Sequence, residues 1–270
     1  MSQIKFFTKN LIDLDRPNPV LTVTDAVALN DGAAYLKYLR NRNNNSGWNT
    51  TSSTDAANTE LLFDLFDLQK VDMVMFVVHN FKNYLVEYWD ILTGSWQTYA
   101  NVTNNDEDTT IHELSVETTK IRVTIYNTFL VDDDKSLRQM IITEKFIYGQ
   151  LNSYPEIKKP TNSLNKKKSQ MLSGKSRVVE SRGSFSCNLS VKFLVIDNDL
   201  TIIENLFYHR EGVLMLLSGG VESQFRTKRI GYRNKDIVLV RPVNELELPY
   251  DKSVYTNGIV INIALEEVIK

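Results

Sequence analysis

Chemistry in this chain would have to come from three histidines, two acidic clusters, one cysteine and a tryptophan set in a polar loop. His79, His112 and His209 stand far apart, with no His-x-x-x-His pair or His/Cys cluster at metal-ligand spacing. His79 follows an apolar run, where a hydrogen-bonded structural histidine is the expected role. Asn104-Asn105-Asp106-Glu107-Asp108 and Asp132-Asp133-Asp134 offer the oxygen ligands that calcium prefers, but neither has the EF-hand spacing. They read as solvated loop tips. Gly219-Gly220 is a turn after a strand rather than a phosphate cradle, and Ser184 and Ser186 lie outside any Gly-x-Ser-x-Gly elbow. The residues call for no metal, no cofactor and no catalysis, so a non-enzyme is expected. A glycosidase built on paired carboxylates is the weakest alternative, because such pairs are defined by separation in space.

Two stretches are better suited to binding. Trp48 sits in a polar loop beside Arg40, Arg42, Asn45 and Asn49. An aromatic platform flanked by planar polar groups is a recipe for holding a polar ligand such as a cell-surface glycan. The competing reading is that Trp48 plugs the end of a sandwich, since tryptophan is mostly buried. Trp89 and Trp96 read as core or half-core residues. The second stretch is basic. Lys166, Lys167, Lys168 and Arg177, with Lys158, Lys159, Lys175 and Arg182 around them, form either a docking arm for an acidic neighbour or a solvated linker. A nucleic-acid surface would interleave aromatics among the charges, and only Tyr154 is near.

Composition narrows the partners. The chain has 270 residues, 42% of them hydrophobic, enough for one large domain or two ordinary ones. A net charge of -2 steers it toward neither nucleic acid nor an anionic membrane. Cys187 is the single cysteine, so no internal disulfide holds the fold. Met1 to Phe7 lacks a secretory signal pattern, and no apolar run nears the roughly 18–20 residues of a membrane span. Synthesis in a cytoplasm without membrane insertion is expected.

The elements that would position these residues are mostly strands. Leu61, Phe63 and Leu65 alternate with Leu62, Asp64 and Phe66. Met73 to Val78 is an unbroken apolar run, as in a strand buried on both faces. Tyr84, Val86 and Tyr88 then point one way and Leu85, Glu87 and Trp89 the other. Ala33 to Leu39 fits strand and helix equally badly. A polar loop with Trp48, Phe63-Asp64-Leu65, a buried strand ending in His79-Asn80, Val86-Glu87-Tyr88-Trp89 before a Gly turn, and a closing Glu144-Lys145-Phe146-Ile147-Tyr148-Gly149 come in an order that resembles the discoidin-type jelly-roll family. The resemblance implies an antiparallel jelly-roll sandwich over residues 1–152, closed by the Glu144–Gly149 strand.

Residues 153–176, with Pro155, Pro160 and Gly174, read as a basic linker or arm. Residues 177–270 read as a small β-barrel or sandwich with one helix. Cys187, Leu189, Val191 and Phe193 alternate strictly with polar residues. A helix follows over Asn198–Phe207 with Leu200, Ile203, Leu206 and Phe207 on one face. Strands are expected at Val213–Leu217, Asp236–Arg241 and Gly258–Val268. This order, with Gly231-Tyr232-Arg233-Asn234-Lys235 and the long final strand, resembles the tail-tube-like domains of bacteriophage tail, distal-tail and baseplate proteins. That resemblance implies a structural virion subunit. Its barrel would join copies of itself and other tail subunits into a ring through the edge of the closing strand, and its sandwich would face outward. The alternative is a carbohydrate-binding module reading a cell-surface glycan.

Overall fold

A computed structural model describes residues 3–8, 10–13, 20–24, 36–40, 46–50, 57–151, 156–158, 165–170, 176–181, 186–193, 199–208, 213–218, 237–247 and 258–267. The protein is mainly β. Its first strands are β1 (Gln3–Phe7), β2 (Val20–Thr24), β3 (Trp48–Asn49), β4 (Thr59–His79), β5 (Phe81–Asp90), β6 (Ser95–Val102), β7 (Thr110–Thr128) and β8 (Ser136–Thr143). There follow β9 (Lys145–Leu151), β10 (Glu156–Lys158), β11 (Asn165–Gln170), β12 (Ser176–Ser181), β13 (Ser186–Phe193), the helix α1 (Asp199–Tyr208), β14 (Val213–Ser218), β15 (Ile237–Pro242) and β16 (Ile259–Glu267). The ambiguous segment before Trp48 contains a 3-10 turn, Leu36–Arg40. The described residues between 7 and 145 form one compact unit, and those of 1–6 and 146–267 form the other.

The first unit is the sandwich. Its strands run in the order β3-β8-β4-β7-β5-β6, with β2 also on β4. The long strands β4 and β7 pair along nearly their whole length but shift register between Asp64 and Gln69. There Phe66 takes a positive φ of 65°, and the Asp64 carboxylate accepts its N–H at 2.9 Å. This irregularity folds the sheet over itself, a common use of bulges. Phe76 on one half then meets Tyr84 on the other, with ring centroids 5.3 Å apart. Leu61, Phe63, Val74, Phe76, Val86, Ile121, Val123, Ile125, Met140 and Ile142 are buried in a common core. Met73 to Val77 is buried throughout, as its apolar run predicts, and Val78 at the end of that run is half-buried.

The second unit is a closed barrel. Its strands follow the order β10-β13-β16-β15-β14-β1-β9, and β9 pairs back onto β13. β9 and β10 occupy the same side of β13, so the cylinder has six staves. Gly149 permits the closure, because a Cβ there would collide with the Val191 side chain. Cys187, Leu189, Val191 and Phe193 point inward, as their alternation predicts. Ile203 and Leu206 of α1 seal the same core.

Four expectations are revised. The boundary falls at Lys145/Phe146 rather than at residue 152, and β1 belongs to the barrel. The Glu144–Gly149 segment therefore closes the barrel, not the sandwich, because Ile147 and Phe146 pack on the barrel core. The closing strand β16 is occupied by β13 along Ile259–Glu266 and by β15 at Leu265–Glu267, so at those positions it offers a neighbour no edge. Closure removes edges. Finally, the basic stretch is not plain linker: Lys166, Lys167 and Lys168 of β11 stand opposite Glu180, Val179 and Val178 of β12 in a separate two-stranded ribbon, and Arg177 pairs with Ser169.

Candidate functional site

Among the residues predicted to bind a ligand, Trp48 does not form an open platform. β3 sets Trp48 opposite Leu137 of β8, which turns the indole into the core with no exposed surface. A buried ring cannot stack on a sugar, so Trp48 is the plug of the sandwich end. Its Nε1 finds no hydrogen-bond partner among the described residues. Such an orphan costs about 1–3 kcal/mol, and packing of the ring offsets it. Arg40 ends the 3-10 turn and is half-buried, and desolvation lowers its pKa from the ordinary value. Arg42 and Asn45 lie outside the described residues.

The sandwich loops at Asn80, Asn105 and Lys135 are polar but occupied. Asn80 donates to Asp133 Oδ2 at 3.2 Å and to the Asp134 carbonyl at 2.7 Å, and its Oδ1 accepts from Ser136 N–H at 2.8 Å. Asn105 donates to the carbonyls of Phe81 and Glu107 and accepts from Glu107 N–H. The fully buried Lys135 donates its ammonium to the Ala57 carbonyl. Each asparagine amide named here is spent on holding one loop to another. Among the described residues no three His, Cys, Asp or Glu side chains converge on a metal position.

Beneath these loops the fold brings together two histidines that the sequence separates. Phe81 N–H donates to His79 Nδ1 at 3.0 Å, which leaves the ring proton on Nε2 to donate to Thr110 Oγ1 at 3.1 Å. The Tyr84 hydroxyl donates to the same Thr110 oxygen at 2.8 Å and lies 3.0 Å from His112 Nε2. Burial pushes the His112 pKa down to about 4. It pushes the Tyr84 hydroxyl up to about 12, against the hydrogen bond to Thr110. His112 is thus neutral at pH 7, and Phe76 and Tyr84 pack edge-on against its ring. His79, Tyr84 and Thr110 of this cluster are buried, and His112 is half-buried beside them.

An aromatic surface with planar charges does exist, on the outward face of the β4-β7-β5-β6 sheet. Alternation turns Glu87 and Trp89 of β5 away from the core, and the cross-strand pairs Glu87–Arg122 and Trp89–Trp96 put them in register. The two indoles meet edge to face with centroids 5.4 Å apart, and both are half-buried. Arg122 Cζ stands 4.3 Å from the Trp96 ring centroid. Its Nε and Nη2 both reach Glu87 Oε2 at 2.8 Å, and Nη1 lies 3.7 Å from Glu60. Lys120 and Asp64 extend the charged row at 3.7 Å. The Arg122 and Glu87 side chains keep only 24% and 13% of their exposure, which strengthens their hydrogen bonds over those of a free surface pair. Sequence reading missed this site because the signal lies across strands: only the register aligns Arg122 with Glu87 and Trp89 with Trp96.

No protein-family model matches the chain. No curated protein matches it either. Solved structures do. Chitosan-binding module 1, derived from a chitosanase/glucanase of Paenibacillus sp. IK-5, is 13% identical at a TM-score of 0.42, over 51% of this chain and 99% of its own. CpGH89CBM32-6, produced by Clostridium perfringens, is 16% identical at 0.38, over 51% and 99%. A Ruminococcus gnavus GH29 fucosidase in complex with fucose is 16% identical at 0.38, over 51% of this chain and 27% of its own. These are likenesses of outline over half of the chain.

Proposed function

We propose that the sandwich is a glycan-binding module and that its outward sheet face, centred on Trp89, Trp96, Arg122 and Glu87, is the contact surface. The observation that carries this reading is the aromatic pair held in register with a fixed guanidinium–carboxylate row. Sugar rings present apolar C–H faces and a rim of hydroxyls. Half-exposed indoles can take the first, and planar charged groups on rigid strands can take the second. Because Arg122 is held by Glu87 and Trp96, little side-chain entropy is lost when it meets a ligand. The test is a glycan array and calorimetry on the full chain, beside Trp96→Ala. Binding by the wild type that weakens at least about tenfold, or about 1.4 kcal/mol, in the variant supports the reading. Silence across the array removes it.

The β11–β12 ribbon favours a second reading, in which the chain is also a structural subunit of a phage-type tail and works in a virion. Among the described residues the ribbon pairs with no other strand. An isolated two-stranded hairpin is marginal in water, so a partner surface would steady it. With Lys166, Lys167, Lys168 and Arg177 against Glu180, that partner would be acidic. Light scattering of the full chain beside a variant with all four basic residues changed to Ser tests this. Loss of oligomers in the variant favours assembly through the ribbon, and a monomer in both cases counts against it.

A further inference from the structure

We infer that the ligand of the outward face carries positive charge, so that the module selects oligosaccharides with free amino groups over neutral and anionic ones. The inference rests on the glycan reading above and goes on to the class of sugar. It starts from the balance of charge on the face. Lys120 and Asp64 compensate each other at 3.7 Å. Arg122 alone among the described residues stands between two carboxylates, Glu87 at 2.8 Å and Glu60 at 3.7 Å. One negative charge in that row is uncompensated.

The free charge has a defined location. Arg122 places both of its short contacts on Glu87 Oε2, so Oε1 of the same carboxylate makes no hydrogen bond among the described residues. That carboxylate keeps 13% exposure, and an oxygen with no internal partner is open to a donor from a ligand. Among the described residues Glu60 is held only by the 3.7 Å contact, and it keeps 37%. Beside them, the aromatic surface of Trp89 and Trp96 not already covered by Arg122 and by their own edge-to-face contact attracts cations and repels anions through the ring quadrupole. A protonated amino group would meet a carboxylate oxygen and an aromatic face at once. A uronic or sialic acid would meet the same charges with the wrong sign, and like-charge juxtaposition is costly. An N-acetylated sugar would stack but leave Glu87 Oε1 without a charged donor.

The experiment is calorimetry of the full chain at pH 6 and low salt with three probes of equal length: a glucosamine oligomer, its N-acetylated counterpart and a galacturonic acid oligomer. Glu87→Gln and Glu60→Gln are measured alongside, with thermal melts to verify folding. The amide introduced by Glu87→Gln can still accept from Arg122, so the strand pairing is retained. The expected result is binding of the glucosamine oligomer at least about tenfold tighter than the N-acetylated one, which corresponds to about 1.4 kcal/mol. That preference should shrink in both variants and at high salt. Equal or tighter binding of the N-acetylated or the uronic oligomer overturns the charge selection while leaving the glycan reading in place. No binding of any of the three oligomers also overturns the charge selection, and silence across the glycan array as well overturns the glycan reading itself.

Discussion

Trp48 and the Trp89–Trp96 pair lie in the same sandwich and meet opposite fates. Trp48 stands on a two-residue strand at the edge of β8, and its ring is fully buried with an Nε1 that has no partner among the described residues. Trp89 and Trp96 stand on the outward side of an antiparallel hairpin and keep part of their surface. Next to β3 polar groups are spent on joining loops, as Asn80 and Lys135 illustrate. Around Trp96 the Arg122–Glu87 pair leaves a carboxylate oxygen over. A polar setting in sequence therefore does not mark a binding site. What matters is whether the register leaves hydrogen-bonding capacity and aromatic surface facing outward.

The contrast can be broken most severely at Trp48. Trp48→Ala should cost about 3–5 kcal/mol of unfolding free energy, because it empties a large core volume. A denaturation midpoint within error of wild type would contradict the plug assignment. Next comes acid. His112 has a folded-state pKa of about 4, below the usual value near 6.5, so the unfolded chain binds the proton more readily. Stability should be whole above about pH 6.5 and fall as the pH drops toward 4, by about 3 kcal/mol for this group at most. Urea titrations at pH 7 and pH 4 on wild type and His112→Gln should show a smaller difference in the variant. Asn80→Ala removes three side-chain hydrogen bonds between loops and should cost about 1–3 kcal/mol, read as a lower melting temperature. The smallest stability effect belongs to Trp96→Ala, below about 1 kcal/mol for a half-exposed position, while ligand affinity drops about tenfold. If Trp96→Ala unfolded the protein, the distinction between plug and platform would collapse.

The fold was largely legible because it rests on local alternation. Cys187 to Phe193, Leu61 to Leu65 and Tyr84 to Val86 each bury every second residue, and Ile203 and Leu206 are buried at helical spacing. Chain crossings were not legible. Nothing in Ile4 and Phe6 announces that they join a barrel completed by residues far along the chain, and nothing in Glu144–Gly149 says which core Ile147 will enter. The site failed to show for a related reason. Arg122 and Glu87 are 35 positions apart and meet only through the β5–β7 register. The histidine cluster also depends on such pairing, since Tyr84 and Thr110 bridge His79 and His112 across the two halves of the sandwich.

The most direct test uses the fact that the chain has only three tryptophans. Their indole N–H resonances, assigned by single Trp→Phe variants, can be followed by NMR while a glucosamine oligomer is titrated into the full chain. The account predicts that the signals of Trp89 and Trp96 shift together with one dissociation constant and that Trp48 stays in place. A shift of Trp48 alone, or saturable binding that moves none of the three, would contradict it.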